Sequence, residues 1–90
     1  VTIATDAVTI TSADYLVKLD PEGAGTTDNL QTITGGVDGQ EIILTVAGIS
    51  DVVTFITGGN LIFTAGATIS LTNGCRFRRD TGSNNWLLIR

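Results

Sequence analysis

The side chains able to do chemistry are few, and their spacing is unhelpful to an enzyme. The 90 residues contain no histidine, so the commonest general base is missing. Ser12, Ser50, Ser70 and Ser83 are the serines, and none stands in a Gly-x-Ser-x-Gly nucleophile elbow. Asp38 and Glu41 form the best-placed carboxylate pair for glycosidase-type chemistry, but they flank a glycine turn, where acids are ordinarily solvated. Thr57-Gly58-Gly59-Asn60 lacks the following lysine and the helix of a phosphate loop. Asp28, Asn29, Asp38 and Glu41 offer hard oxygens without the spacing of a calcium loop, which makes them turn-capping residues first. The single cysteine, Cys75, has neither a second thiol nor an imidazole with which to bind zinc, and reads as a small buried hydrophobe. No metal, cofactor or catalytic residue is therefore expected, and the protein is not expected to be an enzyme.

What remains is recognition by a surface. Asn84-Asn85-Trp86 combines amide donors and acceptors with an aromatic plate, and Asn73 and Arg76 lie across the expected terminal hairpin. Sugars are held by such stacking and planar hydrogen bonding, so Asn84, Asn85, Trp86, Arg76 and Arg78 are the candidate ligand-binding residues. The competing role for Trp86 is burial in an oligomer core.

Charge narrows the partners. Nine acids oppose five basic residues, for a net charge of −4. Residues 1–75 carry eight acids against Lys18 alone, while Arg76, Arg78, Arg79 and Arg90 face only Asp80 in the remainder. Nucleic-acid modules are usually basic overall, and this chain is acidic, so it is not expected to bind nucleic acid. The late arginines are expected to pair with acids elsewhere, with Glu41, Asp38 and Asp51 as candidates on a neighbouring chain. No run of apolar residues is long enough to insert into a membrane as a helix.

The elements that must position these residues are strands. Fifteen threonines, with many valines and isoleucines, favour extended backbone, and eleven glycines punctuate it. About eight short strands are expected: Val1–Thr11 with a break near Asp6-Ala7, then Tyr15–Asp20, Gln40–Val46, Val52–Ile56, Leu61–Thr64, Thr68–Thr72, Cys75–Arg79 and Trp86–Ile89. Residues 24–29 are expected to be a loop, and the Leu30/Ile33 spacing suits one helical turn. Asn73-Gly74 suits a two-residue type I′ hairpin turn. In Cys75–Arg79, Cys75, Phe77 and Arg79 should face one way and Arg76 and Arg78 the other.

Residues 1–90 make one all-β domain, a short-stranded sandwich, prism or β-coil. Its core is modest for so apolar a chain: 42% of residues are hydrophobic and 16% charged. Ile42-Ile43-Leu44 lacks polar alternation, so a strand there needs apolar cover on both faces, one of them from another copy. Ile42, Ile43, Leu44, Leu61, Ile62, Phe63, Trp86 and Leu88 are the candidate interface residues.

The run Asn29-Leu30-Gln31-Thr32-Ile33-Thr34-Gly35-Gly36-x-x-Gly39-Gln40-x-Ile42-x-Leu44, then Gly59-Asn60-Leu61 and Asn85-Trp86-Leu87-Leu88, resembles distal domains of bacteriophage tail fibres and related virion appendages. The resemblance covers most of residues 26–90. It implies an intertwined homotrimer on the virion, extracellular in location. Such a trimer would be structural, would contact other virion proteins and would contribute to attachment to a host receptor or glycan. The alternative is a monomeric carbohydrate-binding β-sandwich of a secreted protein.

Overall fold

The computed structural model describes residues 1–23, 25–63, 68–70 and 73–89. The chain is all-β, and no helix occurs among those residues. β1 (Ala7–Ile10), β2 (Leu16–Leu19) and β3 (Thr27–Leu30) follow one another without pairing together. β4 (Thr32–Gly35), β5 (Glu41–Val46) and β6 (Val52–Phe55) then lie parallel and in register on them, β4 on β1, β5 on β2 and β6 on β3. The chain thus winds through two stacked turns, each strand hydrogen-bonding to its counterpart in the other turn. Stacked turns of this kind bury apolar side chains inside the coil, which a single turn could not do alone.

The last four strands close the coil and bring in antiparallel ladders. β8 (Thr68–Ser70) runs antiparallel to β6, and β9 (Cys75–Arg79) antiparallel to β5. β10 (Trp86–Leu88) turns back antiparallel to β9 and lies parallel to β7 (Leu61–Ile62). The largest sheet therefore has the order β2-β5-β9-β10-β7, beside the two-stranded β1-β4 and the three-stranded β3-β6-β8. At the start of the chain, Thr2 bridges Asp20 in parallel, with Ile3 N–H donating to the Asp20 carbonyl at 2.8 Å. Val1–Ile3 thereby cover the outer edge of β2.

Period-two alternation explains which side chains enter the core. Val17 and Leu19 of β2, Ile42, Leu44 and Val46 of β5, and Cys75 and Phe77 of β9 are all buried. Leu30, Ile33, Val53 and Ile69 come from the other two sheets into the same cluster. The Phe77 ring meets Phe55 edge-on at 5.1 Å, and Phe55 meets Phe63 at 5.9 Å, tying two sheets together through aromatic contacts. No polar or charged residue is buried among the described residues.

Amide side chains fasten successive turns at their corners. Asn60 acts as a surrogate peptide beside β4: its Oδ1 accepts from Ile33 N–H at 2.9 Å, and its Nδ2 donates to the Ile33 carbonyl at 2.7 Å. The same Nδ2 donates to the Asn84 carbonyl at 3.0 Å, and the Asn60 carbonyl accepts from Trp86 N–H at 2.8 Å. Gln40 Nε2 donates to the carbonyls of Thr11 and Asp14 at 2.9 and 2.8 Å, while its Oε1 accepts from Val37 N–H. Gln31 Nε2 donates to the Thr57 carbonyl at 2.8 Å. These amides satisfy backbone groups at corners where the strand ladders are interrupted.

Three expectations need correction. Thr27–Leu30 is a strand and not a loop, because pairing with β6 outweighs the polar character of Thr27-Asp28-Asn29. Leu30 and Ile33 belong to β3 and β4 on either side of a corner, so their spacing reflects two strands and not a helical turn. Gly74 does not have positive φ, which rules out the type I′ turn on Asn73-Gly74. Ser70 and Asn73 are bridged instead, and residues 71–72 lie outside the described residues.

Candidate functional site

The residues proposed as a sugar-binding plate are dispersed by the fold. Trp86 is fully buried, so its ring faces the core and not a ligand. Gly36 lies directly against it: a Cβ on this glycine, whose φ is +82°, would come within 2.9 Å of the ring. The indole N–H has no hydrogen-bond partner, consistent with a tryptophan held for its volume. Asn84, in a left-handed conformation at φ +60°, accepts at Oδ1 from Arg79 Nη2. Asn85 is half-buried, and its carbonyl accepts from Asp80 N–H at 2.7 Å. These three residues hold a corner of the molecule together.

Arg79 organises that corner. Alternation turns it to the Phe77 side of β9, where its side chain is only 16% exposed. Nη1 donates to the Gly36 carbonyl and to Asp38 Oδ1, both at 3.3 Å, and Nη2 reaches Asn84. One guanidinium thus ties the 36–38 turn to the 80–85 loop. A planar fork with five donors suits this use better than an ammonium would.

The interface candidates divide by strand face. Ile42 and Leu44 are fully buried in the chain's own core, and Leu61 is nearly so; these three, with Trp86, are corrected from surface to interior. Phe63 and Leu88 are half-buried and pack against the same core. Ile43 and Ile62 point outward from the five-stranded sheet, half-buried and 50% exposed respectively.

Ladder register shows what surrounds them. Leu16 lies beside Ile43, and Ile43 beside Arg76. Ile89 N–H donates to the Arg76 carbonyl at 2.7 Å, extending the row to the next strand. In the adjacent row, Glu41, Arg78, Leu87 and Ile62 succeed one another across four strands. Leu16 is 52% and Ile89 43% exposed. The outer face of this sheet therefore carries Leu16, Ile43, Ile62, Leu87 and Ile89 among a few charges. Neighbouring strands stand ~4.8 Å apart, so Leu16 and Ile43 adjoin as one apolar strip and Leu87, Ile62 and Ile89 as another, with Arg76 and Arg78 of β9 between them. An open depression of about 280 Å³, lined by Ile43, Gly74, Cys75 and Arg76, opens on it.

Charge on this face differs from the rest of the chain. Lys18, Arg76 and Arg78 are exposed on it with one acid, Glu41. Arg76 Nε stands 3.8 Å from Glu41 Oε1, with both side chains nearly half exposed. The expected partners Glu41 and Asp38 thus meet arginines of their own chain, while Asp51 caps its loop by accepting from Gly48 N–H at 2.9 Å.

The corner amides escaped sequence reasoning. Asn60 and Gln40 follow glycine turns, and Gln31 joins two strands, which is where a side chain can reach backbone left unpaired by the turn. Comparison with protein-family models, with curated proteins and with solved structures gave no match for this chain.

Proposed function

We propose that this chain is a structural module of a phage-type fibre or virion appendage, associating as a homotrimer and contributing to host-surface attachment. The supporting observation is the outer face of the β2-β5-β9-β10-β7 sheet, where Leu16, Ile43, Ile62, Leu87 and Ile89 stand outside the core in adjoining rows. They form two apolar strips, Leu16 with Ile43 and Leu87 with Ile62 and Ile89, on either side of Arg76 and Arg78 of β9, and exposed apolar side chains gathered on one face support an interaction surface. A second source of support is the sequence resemblance, whose landmark residues coincide with fold-defining contacts: Gly36 against Trp86, Gln40 at the first corner and Asn60 beside β4. The carbohydrate-binding alternative loses its aromatic plate with the burial of Trp86.

The test is solution mass combined with paired substitutions. Sedimentation should give a species of about three times the 9.4 kDa chain. Ile43→Asp should convert it to a folded monomer, because Ile43 faces outward. Leu44→Asp should unfold it, because Leu44 is in the core. A wild-type chain that stays monomeric at high concentration would overturn the proposal.

A further inference from the structure

We infer that Asn73-Gly74 is a site of spontaneous backbone-assisted deamidation in the folded protein. Of the five asparagines, Asn73 alone precedes glycine; Asn29, Asn60, Asn84 and Asn85 precede Leu, Leu, Asn and Trp. The reaction requires the following amide nitrogen to approach the asparagine Cγ, and a side chain on the following residue obstructs that approach.

The fold leaves this pair open and keeps it reactive. Asn73 and Gly74 are both exposed. Among the described residues no hydrogen bond engages the Asn73 carboxamide, in contrast to those of Asn60 and Asn84. Asn73 is held only through its backbone, donating to the Ser70 carbonyl at 3.2 Å and accepting from Ser70 N–H at 3.4 Å. Such long bonds at the end of a ladder open at little cost. Gly74 meanwhile cannot acquire a side chain cheaply, because a Cβ there would lie 2.9 Å from the Leu44 carbonyl oxygen. Packing of β9 on β5 thus requires the residue that makes Asn73 labile.

The step balances with water as the only co-reactant. Hydroxide removes the Gly74 amide proton, and the nitrogen attacks Cγ of Asn73. The carboxamide C–N bond breaks, ammonia leaves, and a five-membered succinimide remains. Water then opens either carbonyl, restoring the backbone as aspartate or routing it through the side chain as isoaspartate. Each event adds one negative charge. The isoaspartate product also lengthens the main chain by one methylene where it enters β9, the strand that carries Arg76 and Arg78.

The experiment incubates the full chain at mildly alkaline pH in ¹⁸O-labelled water, with peptide mapping by electron-transfer fragmentation. The expected result is ammonia release and labelled aspartate and isoaspartate at position 73, both absent in Asn73→Gln. The rate should fall on the order of tenfold or less below that of a urea-unfolded control, as local fraying permits. Asn73 remaining intact in the folded chain while the unfolded control converts would overturn the inference. So would conversion mapping to another asparagine, or failure of both samples to react.

Discussion

Asn60 makes its case at the scale of single atoms. Its carboxamide meets one peptide unit of β4 with both a donor and an acceptor, so isosteric replacements separate the two. Asn60→Asp keeps the acceptor for Ile33 N–H but sets a carboxylate against the carbonyls of Ile33 and Asn84. Leaving such groups unpaired costs roughly 1–3 kcal/mol each, so Asn60→Asp should lower the urea midpoint at least as much as Asn60→Ala. Gly36→Ala should destabilise by about 1–3 kcal/mol, because it imposes positive φ on alanine and crowds the Trp86 ring. A thermal melt at fixed concentration reads either change. Neither role was legible beforehand: a glycine pair announces a turn but not which ring it admits, and an asparagine after glycine announces polarity but not which peptide it mimics.

Among the elements, β9 was the most readable and β3 the least. Arg76 and Arg78 alternate with Cys75 and Phe77 so regularly that the face of each, and the inward course of Arg79, follow from period two. β3 has Leu30 as its one buried residue, and Thr27-Asp28-Asn29 carries no strand signal of its own. Its conformation comes from pairing with β6, a long-range partner that local patterning does not encode. Arg79 joins two elements that the sequence leaves unconnected. Arg79→Lys should preserve the charge but lose the fork between Gly36, Asp38 and Asn84. Hydrogen exchange should then quicken in the 36–39 and 81–85 segments, with a loss of about 1–2 kcal/mol in stability. Unchanged protection there would show that the two loops hold themselves. The Arg76–Glu41 pair is a contrast, because both side chains are well solvated. Glu41→Gln should alter stability by no more than ~1 kcal/mol.

For the whole molecule, the proposed association through the apolar sheet face predicts a stability that depends on concentration. If copies associate through it, the melting temperature should rise with protein concentration, and Ile43→Asp should abolish that rise. Moderate salt should leave the proposed association intact, since its contact is apolar and the exposed ion pairs are the part that salt screens. Composition already hinted at this surplus of apolar surface, and Ile42-Ile43-Leu44 located it to one strand. Finding its neighbours needed the ladder register, which sets Leu16 beside Ile43 and Leu87 beside Ile62 although no motif links them.

The pairing of β7 with β10 also sets a timetable. β7 pairs with β10, which follows it in the chain only after β8 and β9. During synthesis from the N-terminus, the two stacked turns can form as soon as β6 emerges. Leu61-Ile62 must wait for Trp86-Leu87, leaving an apolar strand edge open throughout the interval. Wild-type chains stalled before Trp86 should therefore be the aggregation-prone species on the ribosome, and emergence of Trp86–Leu88 should be the moment at which that edge closes.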